Sequence, residues 1–152
     1  MFSIFRKKKP LLPEEANGAI VKAIQQAEQR TSGEVRVYLE SRCRFMDAID
    51  RAQEVFFSLK MENTEQRNAV LVYVAVKDRQ LAIFGDEGIH KKVGTEYWQK
   101  LVAEMLVELR KTNYAEGIGN CVIKIGEALH TYFPYNRDTD KNELPDNIVF
   151  GR

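Results

Sequence analysis

The chain has 152 residues, with 23 Lys and Arg against 22 Asp and Glu and a formal net charge of +1. That length suits one domain with a core that needs neither disulfides nor metals. The near cancellation of charge argues against nucleic acid as a partner, because the only basic excess lies in the first ten residues.

Cys43 and Cys121 are far apart and lack zinc-type spacing, which predicts two reduced structural thiols. No stretch reaches transmembrane length and the N-terminus has no apolar signal core, so a cytoplasmic location is expected. Residues 1–10 form a leader in which Phe2, Ile4 and Phe5 precede Arg6, Lys7, Lys8 and Lys9. Aromatics beside a cationic cluster fit peripheral contact with the inner face of a membrane through residues 2–9, at about 1 kcal/mol per basic residue. The bland alternative is a solvated leader.

Pro13 opens the first predicted helix, in which Ala16, Ala19, Ile20, Ala23, Ile24 and Ala27 recur at helical spacing. Gly33 reads as its stop. Val35, Val37 and Leu39 alternate with Glu34, Arg36, Tyr38 and Glu40, a strand with one polar face. Asp47 and Asp50 stand where a helix N-cap is expected, ahead of a stripe of Ile49, Ala52, Val55, Phe56 and Leu59. Residues 69–76 are unbroken apolar sequence rich in valine, which predicts a central strand covered on both faces.

The short polar break Lys77-Asp78-Arg79 joins this strand to a second one over 80–84, and a connection so short makes a hairpin. Strand, helix, strand and hairpin together predict a βαβ unit with one antiparallel addition. After Gly85-Asp86-Glu87-Gly88 come a short helix to Gly94, a long helix carrying Trp98, Leu101 and Met105, and a last helix over Ile118, Cys121, Ile125 and Leu129. Pro134 ends it, a polar tail follows, and residues 147–151 offer a short strand for a sheet edge. The expected architecture is a three-layer α/β/α sandwich with a mixed sheet of about four strands. Its segments are a leader (1–10), the α/β domain (11–135) and a polar tail (136–152).

This topology places Glu40, Ser41, Arg42, Asp78 and Arg79 at one end of the sheet, and Glu34, Asn68 and the Gly85–Gly88 loop at the other. Ligands of open α/β sheets sit beyond the carboxyl ends of parallel strands, which favours the first end. The glycine-flanked Asp86 and Glu87 favour the second. With Glu34 and Asn68 they supply hard oxygen donors suited to Ca²⁺ or Mg²⁺, and His90 follows one turn after Asp86. The competing reading is that Asp86 caps the next helix and Asp78 serves its turn. No GxSxG, P-loop, HExxH or GxGxxG occurs, and His130 reads as a solvated or core-edge histidine.

Thr31-Ser32-Gly33-Glu34-Val35, Arg67-Asn68-Ala69-Val70, Asp78-Arg79, Gly85-Asp86-Glu87-Gly88-Ile89, Tyr97-Trp98, Asn113-Tyr114-Ala115-Glu116-Gly117-Ile118 and Tyr132-Phe133-Pro134-Tyr135 come in an order that resembles the TPM domain family. The family includes thylakoid-lumen phosphatase-like proteins and small bacterial proteins, and it usually has glycine where this chain has Ala69. The resemblance implies a mixed four-stranded sheet between helices, acid phosphatase activity in some members and divalent-cation binding, calcium among them, in others. Two functions follow. One is an interaction or quality-control domain that binds a divalent cation and an unknown protein partner without strong catalysis. The other is a metal-assisted phosphatase acting on phosphomonoesters, with Asp78, Arg79 and Arg67 as candidate catalytic groups and Asp86, Glu87, Glu34, Asn68 and His90 around the metal.

Overall fold

The computed structural model describes residues 11–111, 113–135, 144–145 and 147–151. Residues 2–9, expected to touch a membrane, lie outside that set, as does most of the polar tail. In chain order the elements are α1 (Glu14–Glu28), β1 (Glu34–Glu40), α2 (Ala48–Ser58), β2 (Ala69–Ala75), β3 (Gln80–Gly85), α3 (Glu87–Val93), α4 (Thr95–Lys111), α5 (Tyr114–Tyr132) and β4 (Val149–Phe150).

The sheet order is β3-β2-β1-β4. β1 is parallel to β2, with Glu34 opposite Ala69 and Glu40 opposite Ala75, and parallel to β4 through Tyr38 and Leu39. β3 returns antiparallel to β2, as its short turn requires, and occupies an outer edge of the sheet. The short run near the C-terminus is therefore the opposite edge strand.

All of β2 is buried, as its apolarity on both faces requires. Val35, Val37 and Leu39 join Val70, Val72 and Val74 in a core under α1, α4 and α5. On the other face, Ala69, Leu71 and Tyr73 pack with Ala52, Val55 and Phe56 of α2. These are the three expected layers. Among the described residues no helix is long and apolar enough to cross a membrane.

Three local expectations are corrected. The alternating face of β1 is not solvated, since Glu34, Arg36 and Glu40 are all buried. Alternation reports which residues share a face, and here α2 covers the polar one, with Glu40 paired to Arg51. Gly33 does not stop α1, which ends five residues earlier at Glu28. It is small because a Cβ there would press on the Leu129 side chain of α5. Ile49 is half exposed rather than part of the buried stripe of α2, and it lines a groove beside β3.

Candidate functional site

The two ends of the sheet carry the polar chemistry. At the end where β2 begins, Arg67 adopts a left-handed backbone conformation with φ 51°, uncommon for a side chain with a Cβ. That turn aims its guanidinium at Asp86, which is 2 % exposed. Arg67 Nε donates to Oδ2 of Asp86 at 2.6 Å and Nη2 donates to Oδ1 at 2.9 Å, a two-pronged pair. Nη1 donates to the exposed Glu87 at 3.2 Å. The hydrogen bond to Asp86, first among the causes, holds the Arg67 guanidinium above its usual pKa.

Asp86 also accepts the Glu87 N–H at 2.8 Å, so it caps α3 while holding the arginine. The backbone closes on the same point. Gly88 N–H donates to the Arg67 carbonyl at 2.8 Å, and a Cβ on Gly88 would collide with the carbonyl oxygens of Gln66 and Arg67. The glycine flanking the acidic pair is there for this close approach.

Asn68, next to Arg67, is buried; its Nδ2 donates to the Ser32 hydroxyl at 3.2 Å, and its Oδ1 has no hydrogen-bond partner among the described residues. Glu34 and Asp86 flank Ala69 on one sheet face, through the β1–β2 register and the Asp86 N–H bond to the Ala69 carbonyl. Two strand spacings, roughly 10 Å, separate their backbones. His90 is turned to Trp98, whose indole N–H donates to Nδ1 at 3.1 Å. The structure thus brings Asp86 and Glu87 together around Arg67 and leaves Glu34 and His90 apart from them. A guanidinium already answers this donor set, and among the described residues no group of three or more His, Cys, Asp or Glu is placed to hold a metal.

The carboxyl ends of β1 and β2 form the other cluster. Glu40, 4 % exposed, accepts Arg51 Nε at 2.9 Å and Nη2 at 3.0 Å, and the Tyr73 hydroxyl donates to the same carboxylate. The hydrogen bond to Glu40 leads the causes that raise the Arg51 pKa. Burial first, and Glu40 second, raise that of Tyr73. Asp78 accepts Arg42 Nη1 at 2.9 Å and the Cys43 N–H at 2.8 Å. Arg79 occupies the left-handed position of the hairpin turn, with φ 52°. Asp78 and Arg79 therefore stand at the opposite end of the sheet from Arg67 and Asp86. Sequence reasoning missed Arg51, and nothing in its helical context distinguishes it from any exposed arginine.

One cavity meets the Arg67–Asp86 cluster but not Glu40 or Arg51. A groove of about 840 Å³ runs along the outer edge of β3, between α2 and α4, and reaches Asp86 and Glu87 at one end. Ile49 and Phe57 of α2 are half exposed beside it, and Trp98 of α4 covers Gly85.

A mixed four-stranded sheet between helices, tied at each end by arginine–carboxylate pairs, defines a small α/β domain. The chain belongs to the TPM domain family, whose model matches residues 6–128. It is similar to the BA42 protein of the psychrophilic bacterium Bizionia argentinensis, solved by NMR, at 41% identity and a TM-score of 0.85, with 95% of this chain and 99% of that one covered. The N-terminal domain of a P. gingivalis protein shares 16% identity at a TM-score of 0.65, covering 81% of this chain and 79% of that one, a likeness of fold alone. No curated protein matches.

Proposed function

We propose that this TPM domain is an interaction domain without strong catalysis. The observation that carries the reading is the saturation of Asp86. Both of its oxygens face Arg67 and one also caps α3, so the carboxylate best placed to bind an ion or activate water is committed to the fold. At the other end, Glu40 is committed in the same way to Arg51 and Tyr73. The test is hydrolysis of p-nitrophenyl phosphate by full-length protein freed of host phosphatases, with and without Ca²⁺ or Mg²⁺. No turnover above the blank is expected. Turnover that disappears in Asp86→Asn overturns the reading in favour of a metal-assisted phosphatase.

One atom favours a bound cation as a second reading, the buried Asn68 Oδ1. A cation held there by the folded state alone stabilises by RT ln(1 + [L]/Kd), about 2.7 kcal/mol at a hundredfold excess over Kd. Calcium or magnesium would then raise Tm in the wild type and raise it less in Asn68→Ala. Equal responses in the two proteins remove this reading.

A further inference from the structure

We infer that the outer edge of β3 is a docking site for an extended, apolar peptide segment of another protein, one that carries a lysine or arginine. The inference rests on the interaction-domain reading and names the class of partner.

The backbone makes the first argument. Asp86 N–H donates to the Ala69 carbonyl across the β2–β3 ladder. Antiparallel pairs alternate between bonded and non-bonded positions, so Phe84 opposite Leu71 and Ala82 opposite Tyr73 also face inward. Leu81, Ile83 and Gly85 consequently turn their N–H and C=O groups away from β2. β3 ends the sheet order, and no described residue pairs with those groups. A row of main-chain donors and acceptors at strand spacing matches the backbone of another extended chain, which would bind by adding a strand. A lipid or a compact aromatic ligand leaves that row unanswered.

The walls make the second argument. α2 bounds the groove on one sheet face and α4 on the other, forming a slot for a single extended segment. Side chains of such a segment alternate between the two faces. One set meets the exposed Ile49 and Phe57, 48% and 44% exposed, and the other meets Trp98 and Val102. Buried apolar pockets at alternate positions give such a site its side-chain preference.

Charge selects the occupant. The groove presents Asp47, Asp86 and Glu87 against a single Arg67, in a chain whose net charge is +1. Asp47 precedes α2, beyond the carboxyl end of β1 where β3 begins, and Glu87 follows the end of β3. Glu87 shares Arg67 with Asp86, so one guanidinium faces two carboxylates at that end while Asp47 stands at the other, and a basic side chain of the segment is favoured in either strand direction.

The test uses the full chain and a random seven-residue peptide library displayed on phage, followed by synthesis of the selected peptides. The expected winners alternate apolar residues and contain Lys or Arg. In ¹⁵N-labelled protein they should shift the Leu81, Ile83 and Gly85 amide signals most. Ile49→Lys should weaken binding at least tenfold with Tm unchanged, and Asp47→Asn should weaken it severalfold. Absence of an enriched motif, or shifts centred away from β3, overturns the inference. So does a peptide-free dimer in sedimentation velocity that Ile49→Lys dissociates, since the occupant is then a second copy of this chain. Failed selection with a silent phosphatase assay removes the groove and leaves the interaction-domain reading. Asp86-dependent turnover removes that reading itself.

Discussion

The two ends of the sheet solve one problem with different parts. At the carboxyl end of β1, Arg51 reaches from α2 to Glu40, and the Tyr73 hydroxyl completes the carboxylate's partners. That cluster ties a helix to the sheet and leaves the backbone ordinary. At the other end, Arg67 and Asp86 lie on the two arms of one hairpin, and the pair is seated by a left-handed residue and a glycine. The first cluster is a matter of side chains, the second of side chain and main chain together. Changes at the second should therefore do more damage.

Arg67→Ala should show the largest effect. It leaves a buried carboxylate without its two-pronged partner; the urea midpoint should fall further than in Gly88→Ala, Tyr73→Phe or Arg42→Ala, and a midpoint equal to that of wild type would show that the clasp does not hold Asp86 in the fold. Gly88→Ala should follow at about 1–3 kcal/mol, because its Cβ meets backbone that has no rotamer to yield. Tyr73→Phe at the opposite end should cost about 1.5 kcal/mol, the lower end for a hydrogen bond to a charged group, because Glu40 keeps Arg51. The exposed Arg42–Asp78 pair should be smallest, with Arg42→Ala below about 1 kcal/mol.

Alkaline titration sharpens the same contrast. The fold raises the Tyr73 pKa, so the neutral phenol is the form it favours. The stability this contributes is complete below the unfolded tyrosine value of about 10 and is lost as pH rises beyond it. Wild type should therefore lose stability above about pH 10 more steeply than Tyr73→Phe, in urea titrations at fixed temperature. Parallel curves for the two proteins would show that Tyr73 does not set the alkaline limit.

Much of this was open to reading from residues. The apolar run of β2 needs cover on both faces, and a three-residue break leaves room only for a hairpin, so sheet order near the centre followed from chain chemistry. The edge strand at 149–150 and the capping role of Asp86 were also within reach. The partner of Asp86 was not. Arg67 stands 19 positions away, and only the return of β3 and the left-handed turn bring the two together. Side-chain periodicity carries no sign of a backbone dihedral. The groove escaped for a related reason. The stripe of Ile49, Ala52, Val55 and Phe56 states that α2 has an apolar face, but not that Ile49 at its first turn is left half exposed beside β3. In Gly33 the same limit appears in reverse, because its tight neighbour, Leu129, comes from the far end of the chain.

The Arg67–Asp86 clasp also bears on the order in which the chain assembles. The β2–β3 hairpin is closed by its turn at one end and by this pair at the other, all within about twenty residues of sequence. Local loops close quickly and at small entropic cost, whereas the β1–β2 pairing must wait for a whole intervening helix to be placed. The hairpin is thus a unit that can nucleate before the parallel half of the sheet exists. Weakening its clasp should slow folding itself, whereas loss of the Arg51–Glu40 tie should chiefly hasten unfolding.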